Sequence, residues 1–124
     1  MLWVDDEKDL CGLAKKIVTS RIESKVTKVL MAQDGVEALE LLSKHHVDLI
    51  VADVLMPRMD GLELCENIRK KFPILPVILM TAYQDRFDAR DCIVKGAVGY
   101  FTKPFNVDEI RVLIDRALKG MPVN

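Results

Sequence analysis

Four short apolar runs, each stopped by a residue that carries chemistry, constrain this chain more than any other feature. Leu2-Trp3-Val4 stops at Asp5-Asp6-Glu7, and Val47-Asp48-Leu49-Ile50-Val51-Ala52 stops at Asp53. Val77-Ile78-Leu79-Met80 stops at Thr81, and Tyr100-Phe101-Thr102 stops at Lys103-Pro104. Amphipathic stretches of helical length separate the runs. That alternation predicts parallel strands joined by crossover helices, an α/β fold. In such a sheet the carboxyl ends of the strands share one edge, and ligands bind there. Asp5, Asp6, Asp53, Thr81 and Lys103 are therefore expected to converge from both ends of the chain.

Charge decides what that set can do. Three carboxylates packed together repel one another and resist joint ionisation. A hard divalent cation relieves the repulsion, and oxygen ligands with room for water suit Mg²⁺, with Mn²⁺ as the alternative. These loops hold no His or Cys, which argues against zinc. Lys103 adds a point charge for an anionic oxygen, and Thr81 adds a hydroxyl donor. A metal, an ammonium and a hydroxyl aimed at one carboxylate make a phosphoryl-transfer site. Asp53 is the natural nucleophile, because a carboxylate can become an aspartyl phosphate.

The rest of the chain fits one compact domain. Its 124 residues are near the modal domain size, and half of them are apolar. Residues 1–120 are expected to form the domain and 121–124 a C-terminal tail, either a plain end or the start of a linker to an output domain. A formal net charge of −1 leaves no nucleic-acid footprint. Any DNA binding would therefore need a separate output domain. No apolar run approaches membrane-spanning length and no secretory leader is read, so a cytoplasmic protein is expected. Cys11, Cys65 and Cys92 are an odd, scattered set without metal-ligand spacing, and read as reduced thiols.

Periodicity places the helices. Leu10, Leu13, Ala14, Ile17 and Val18 predict a first helix over residues 7–22, and Val26 to Ala32 a second strand. Asp34 is read as the N-cap of a second helix with Leu39 and Leu42 inward. A third helix follows Gly61 with Leu64, Cys65, Ile68 and Phe72 inward, ended by Pro73 and Pro76. A polar fourth helix spans residues 84–95, with Phe87, Ala89, Cys92 and Ile93 as its apolar positions. A fifth runs from Val107 to Lys119 with Ile110, Leu113, Ile114, Ala117 and Leu118 on its core side, stopped by Gly120 and Pro122.

At the chemical residues the chain resembles the receiver domains of two-component response regulators. The resemblance rests on Val4-Asp5-Asp6-Glu7, Asp34-Gly35-Val36-Glu37-Ala38-Leu39, Asp53-Val54-Leu55-Met56-Pro57 and Met59-Asp60-Gly61. It continues through Met80-Thr81-Ala82 and from Gly96-Ala97 through Tyr100 to Lys103-Pro104-Phe105. It covers essentially the whole chain. It implies a flavodoxin-like doubly wound sheet of five parallel strands with five helices, and the order 2-1-3-4-5 is what the resemblance implies. It also implies that Asp53 accepts phosphate from a histidine kinase or phosphotransfer protein. Asp6 would bind Mg²⁺ directly, Asp5 mostly through water, and the Leu55 backbone carbonyl would complete the protein ligands beside Asp53. Thr81 and Lys103 would contact the phosphoryl oxygens. Tyr100 would swing inward as Thr81 moves, and the bond before Pro104 would be cis, aiming Lys103 inward.

Plainer readings compete residue by residue. Asp5-Asp6-Glu7 alone would be a dipole-favoured helix start, and Asp53 alone a turn residue. Thr81 alone would be an ordinary β-branched strand residue, and Lys103 a solvated lysine. For Tyr100, switching and plain packing stand about equal. His45-His46 read as a pair at a helix C-terminus rather than a phosphate relay. Two other functions compete with this one. A small phosphohydrolase would need a second acid/base carboxylate after Asp53 and a substrate cap, and Val54-Leu55 supplies neither. A docking module without phosphorylation would be expected to lack Asp53, Lys103 or the acidic pair. The expected function is thus a signalling switch rather than a conventional enzyme. It would present the surface of the fourth helix, fifth strand and fifth helix to an output domain, an effector or a second copy of itself.

Overall fold

The computed structural model describes residues 1–5, 29–56, 58–82, 89–103 and 106–121. In chain order these form β1 (Leu2–Val4), β2 (Leu30–Ala32), α1 (Gly35–Lys44), β3 (Ile50–Asp53), α2 (Gly61–Lys71), β4 (Val77–Ala82), α3 (Ala89–Val94), β5 (Gly99–Lys103) and α4 (Val107–Leu118). The strands make one parallel sheet of order β2-β1-β3-β4-β5. This is the expected doubly wound order. Four helices are present among the described residues; the predicted first helix, residues 7–22, lies outside them.

A sheet covered on both faces requires strands that are apolar at every position. β1, β3 and most of β4 meet that demand, and strand alternation divides their side chains between two cores. Leu2, Val4, Ile50, Ala52, Val77 and Leu79 join Ala38 and Leu42 of α1, Leu62, Leu64, Cys65 and Ile68 of α2, and Cys92 of α3. Trp3, Val51, Ile78, Met80 and Phe101 join Ile110, Leu113, Ile114 and Ala117 of α4. Trp3, bulky for a central strand, is fully buried in this second core. Each such large apolar side chain contributes about 1.5–3 kcal/mol on burial.

The helix ends follow local chemistry. Asp34 caps α1 by accepting from the Glu37 N–H at 2.9 Å, as expected from its place before the apolar stripe. Asp60 caps α2 in the same way through the Glu63 N–H at 2.8 Å. Asn106 caps α4 through the Asp108 N–H. α4 is the clearest amphipathic element: Ile110, Leu113, Ile114 and Ala117 are buried as the spacing predicts, and Leu118 is half-buried. α3 departs from the expectation in part. Cys92 is buried, but Ile93 is 48% exposed, because adjacent side chains on a helix diverge by about 100° and only one of the two faces the sheet. No helix of the described residues is long and apolar enough to cross a membrane.

Candidate functional site

Asp5 follows β1, Asp53 ends β3, Thr81 is next to last in β4 and Lys103 ends β5. In a parallel sheet all four must lie at the same edge, and register brings them level. Asp53 pairs with Met80, one residue before Thr81, and Lys103 pairs with Ala82. Alternation adds a second constraint. Asp5, Asp53 and Lys103 continue the parity of Trp3, Val51 and Phe101, whereas Thr81 continues that of Leu79.

The side chains meet accordingly. Lys103 Nζ donates to Asp53 Oδ2 at 2.5 Å and lies 3.7 Å from Asp5 Oδ2. Asp5 is 3% exposed, Asp53 6% and Thr81 4%, so these polar groups sit at the floor of the edge rather than on its rim. The remaining oxygen of Asp53, Oδ1, accepts from the Leu55 N–H at 3.1 Å. One face of the carboxylate is thus held by backbone and the other by an ammonium. Against the sequence expectation of carboxylates awaiting a cation, Lys103 already offsets part of the repulsion between Asp5 and Asp53.

Oxygen ligands of this kind suit a hard cation, and two buried carboxylates against one ammonium leave negative charge for it to offset. The described residues contain no cluster of three His, Cys, Asp or Glu side chains. The third carboxylate of the expected set, Asp6, lies outside the described residues, as do Pro104, Tyr83 and Cys11. Tyr100 is half-buried against the first core, beside Leu79, its register partner. Leu55 is 53% exposed at the mouth of the site.

The loop from Asp53 to α2 is tightly folded, and Gly61 explains how. Its N–H donates to the Val54 carbonyl at 2.8 Å. A Cβ at this position would stand 2.3 Å from the Asp53 backbone oxygen and 2.9 Å from the Val54 Cα. Only a residue without a side chain lets the start of α2 approach the backbone of Asp53 so closely.

Sequence reasoning missed two ion pairs. Arg58 Nε donates to Asp34 Oδ2 at 2.8 Å. The Arg58 guanidinium and the Glu37 N–H hold the Asp34 carboxyl below the usual carboxylate range. Farther along, Lys95 and Glu66 form a short ion pair between the end of α3 and α2, which lowers the Glu66 carboxyl in the same way. Neither pairing has a local signal, since the partners stand 24 and 29 residues apart. The Asp60 cap, by contrast, was available: an Asp followed three residues later by Glu63 before an apolar stripe is a helix-start signature.

Other candidates lie away from the chemistry. Cys65 and Cys92 are buried, reduced thiols on helices, as expected, and burial pushes the Cys65 thiol up to about 11. His45 caps the C-terminus of α1, and His46 Nε2 lies 2.8 Å from Asp48 Oδ1. A cavity of about 510 Å³ opens there, lined in part by Leu42, Val47, Phe72 and Pro76. It occupies the amino-terminal edge of the sheet, opposite Asp53 and Lys103.

Comparison with known proteins gives one result throughout. The sequence family described as response regulator receiver domain matches residues 1–115. The chain is 37% identical over 119 residues to a protein named probable transcriptional regulator ycf27 from Cyanidium caldarium, covering 96% of this chain and 46% of that one. It is 36% identical over 115 residues to the DNA-binding transcriptional regulator NtrC of Klebsiella pneumoniae, covering 93% and 24%. The chain therefore spans half or less of the curated relatives it matches. Among solved structures, the receiver domain of NtrX from Brucella abortus superposes with a TM-score of 0.84 at 31% identity, covering 95% of this chain and 97% of that one.

Proposed function

We propose a function from this premise: the chain belongs to the response regulator receiver domain family. It is a phosphoacceptor switch that takes a phosphoryl group from a histidine kinase or phosphotransfer protein onto Asp53. The observation that carries the reading is the Asp53 carboxylate held between the Lys103 ammonium at 2.5 Å and the Leu55 N–H at 3.1 Å. That is an oriented nucleophile beside a cation placed to receive an anionic oxygen.

In the proposed transfer an Asp53 carboxylate oxygen attacks phosphorus, the phosphorus–nitrogen bond of the donor breaks, and the imidazole leaves with the electron pair. Lys103 then exchanges its contact with the carboxylate for one with a phosphoryl oxygen. Thr81 donates its hydroxyl to another. Bound Mg²⁺ would offset charge developing on the phosphoryl oxygens, with Asp6, Asp53 and the Leu55 carbonyl as its direct protein ligands and Asp5 acting through water. Return to the resting state needs water to attack the same phosphorus, releasing inorganic phosphate and the carboxylate.

The signal would leave through α3, β5 and α4. Thr81 and Tyr100 border this face. The described residues of these elements expose Ile93, Val94 and Val112. Its charges are partly satisfied along α4 and its C-cap, where Arg111 reaches Asp108 and Lys119 reaches Asp115, each at 3.0 Å. A face of exposed valines with paired charges suits an output domain, a downstream effector or an activation-dependent second copy of the chain. A cytoplasmic location follows from the kinase partner.

Magnesium-dependent gain of a single phosphoryl group from acetyl phosphate, read by intact mass, tests the reading; no gain at saturating Mg²⁺ would defeat it. The metal roles have their own test. Trp3, the only tryptophan, is buried two residues from Asp5, so its fluorescence should report Mg²⁺ binding. Asp6→Ala should weaken binding more than Asp5→Ala, and equal affinity in Asp6→Ala and wild type would remove Asp6 as a ligand. The lifetime of the phosphoryl group is a further expectation. Leu55 and Tyr83, at the positions that commonly tune hydrolysis in the family, carry no carboxylate or amide to orient water. Slow self-dephosphorylation should follow, and Leu55→Asn with Tyr83→Glu should accelerate it. A wild-type lifetime of seconds would contradict this.

A further inference from the structure

The loop after β3 carries a non-glycine residue in the left-handed region: Arg58 has φ 63°. Such a conformation is strained for any residue with a Cβ, and it persists where surrounding contacts over-determine it. Those contacts are here. Arg58 Nε donates at 2.8 Å to Asp34, whose side chain is 8% exposed and whose other oxygen caps α1. The neighbouring Met59 carbonyl accepts from the Gly35 N–H at 3.4 Å. The Met59 side chain fills the space where a Cβ on Gly35 would fall, with its Cγ at 2.7 Å. The same loop begins at Asp53 with the Leu55 N–H on Oδ1 and closes at Gly61 against the Val54 carbonyl.

An arginine beside the N-terminus of α1 is disfavoured by the helix dipole unless a carboxylate lies between. Asp34 is that carboxylate. It therefore does two things at once: it starts α1, and it anchors the loop that holds the acceptor. We propose that Asp34 and Arg58 form a positioning clamp that holds the Leu55 backbone and the Asp53 carboxylate in the arrangement that binds Mg²⁺. The clamp rests on the phosphoacceptor reading above for its metal, and on the geometry of the loop for its existence. Neither residue touches the metal or the phosphoryl group; both act through Leu55 and Asp53. The clamp is strongest above the ordinary carboxylate range. Asp34 is depressed in the folded protein, so the contribution is complete above its unfolded value and is lost as pH falls through the lower, folded one.

Two variants separate positioning from plain stability. Arg58→Gly removes the guanidinium and also the left-handed strain, so strain relief offsets the lost ion pair and stability should stay near wild type. Asp34→Asn keeps an oxygen to cap α1 but discharges the pair. Each should raise the Kd for Mg²⁺, read by Trp3 fluorescence, by roughly two- to fivefold, the upper scale of one partly exposed ion pair. The double variant should match the singles, since both delete one interaction. Arg58→Lys should restore most of the affinity. Wild-type Mg²⁺ affinity in both single variants would overturn the proposal, as would a loss of stability in Arg58→Gly as large as its loss of affinity. Amide exchange in the metal-free protein provides an arm that needs no metal. Leu55 should exchange faster in both variants while core strand amides are unchanged, and unchanged Leu55 exchange would overturn the clamp. A wild-type protein with no saturable Mg²⁺ response would instead sink the phosphoacceptor reading, while the exchange arm still judges the loop.

Discussion

Asp53→Asn should abolish phosphorylation while leaving the fold intact. The amide keeps the shape of the carboxylate and its acceptor oxygen for the Leu55 N–H, but it is a far weaker nucleophile and cannot form the acyl phosphate. Incubation with acetyl phosphate and Mg²⁺ should therefore give no phosphoryl gain by intact mass. A persistent single gain in this variant would remove Asp53 as the acceptor. From the sequence alone some gain in stability is conceivable, because one of three crowded carboxylates is discharged. The structure reduces that expectation. Lys103 stands 2.5 Å from Asp53 and 3.7 Å from Asp5, so the variant loses an attraction as well as a repulsion. Stability close to wild type in urea, with Lys103 turned to Asp5, is the expected outcome.

Gly61→Ala should be strongly damaging, because its added Cβ would run into backbone. The new Cβ would stand 2.3 Å from the Asp53 backbone oxygen, and backbone on both sides of that contact cannot yield as a flexible side chain would. Overpacking of this kind costs roughly 1–3 kcal/mol and more where the backbone is involved. Alanine returns at most about 1 kcal/mol as a better helix former. The steric loss wins, and net destabilisation of about 2 kcal/mol is expected in urea unfolding. The shift also displaces Asp53 itself, so phosphoryl gain should fall with stability. An alanine variant as stable as wild type and fully phosphorylated would contradict the close approach of α2 to the acceptor strand.

Much of this protein was legible in its sequence, for a physical reason. Strand and helix signals are local: the apolar runs at Leu2–Val4 and Val77–Met80, the Asp34 cap and the Ile110, Leu113, Ile114, Ala117 stripe each depend on residues within a few positions of one another. Parallel topology then forces strand ends to one edge, so the convergence of Asp5, Asp53, Thr81 and Lys103 needed no coordinates. The family resemblance supplied the strand order and the roles proposed for those residues. What only the tertiary structure decided depends on register, loop path and close packing. Register level with Met80 and Ala82 makes Asp53, and less closely Asp5, the partner of Lys103. The path of the loop after Asp53 brings Arg58 to Asp34, which no periodicity signals. Packing of α3 selects Cys92 for the core and leaves Ile93 outside, although both are apolar. Spacing specifies elements and edges because backbone geometry repeats; individual pairings across loops do not repeat, and they form only when the whole sheet has brought their partners together.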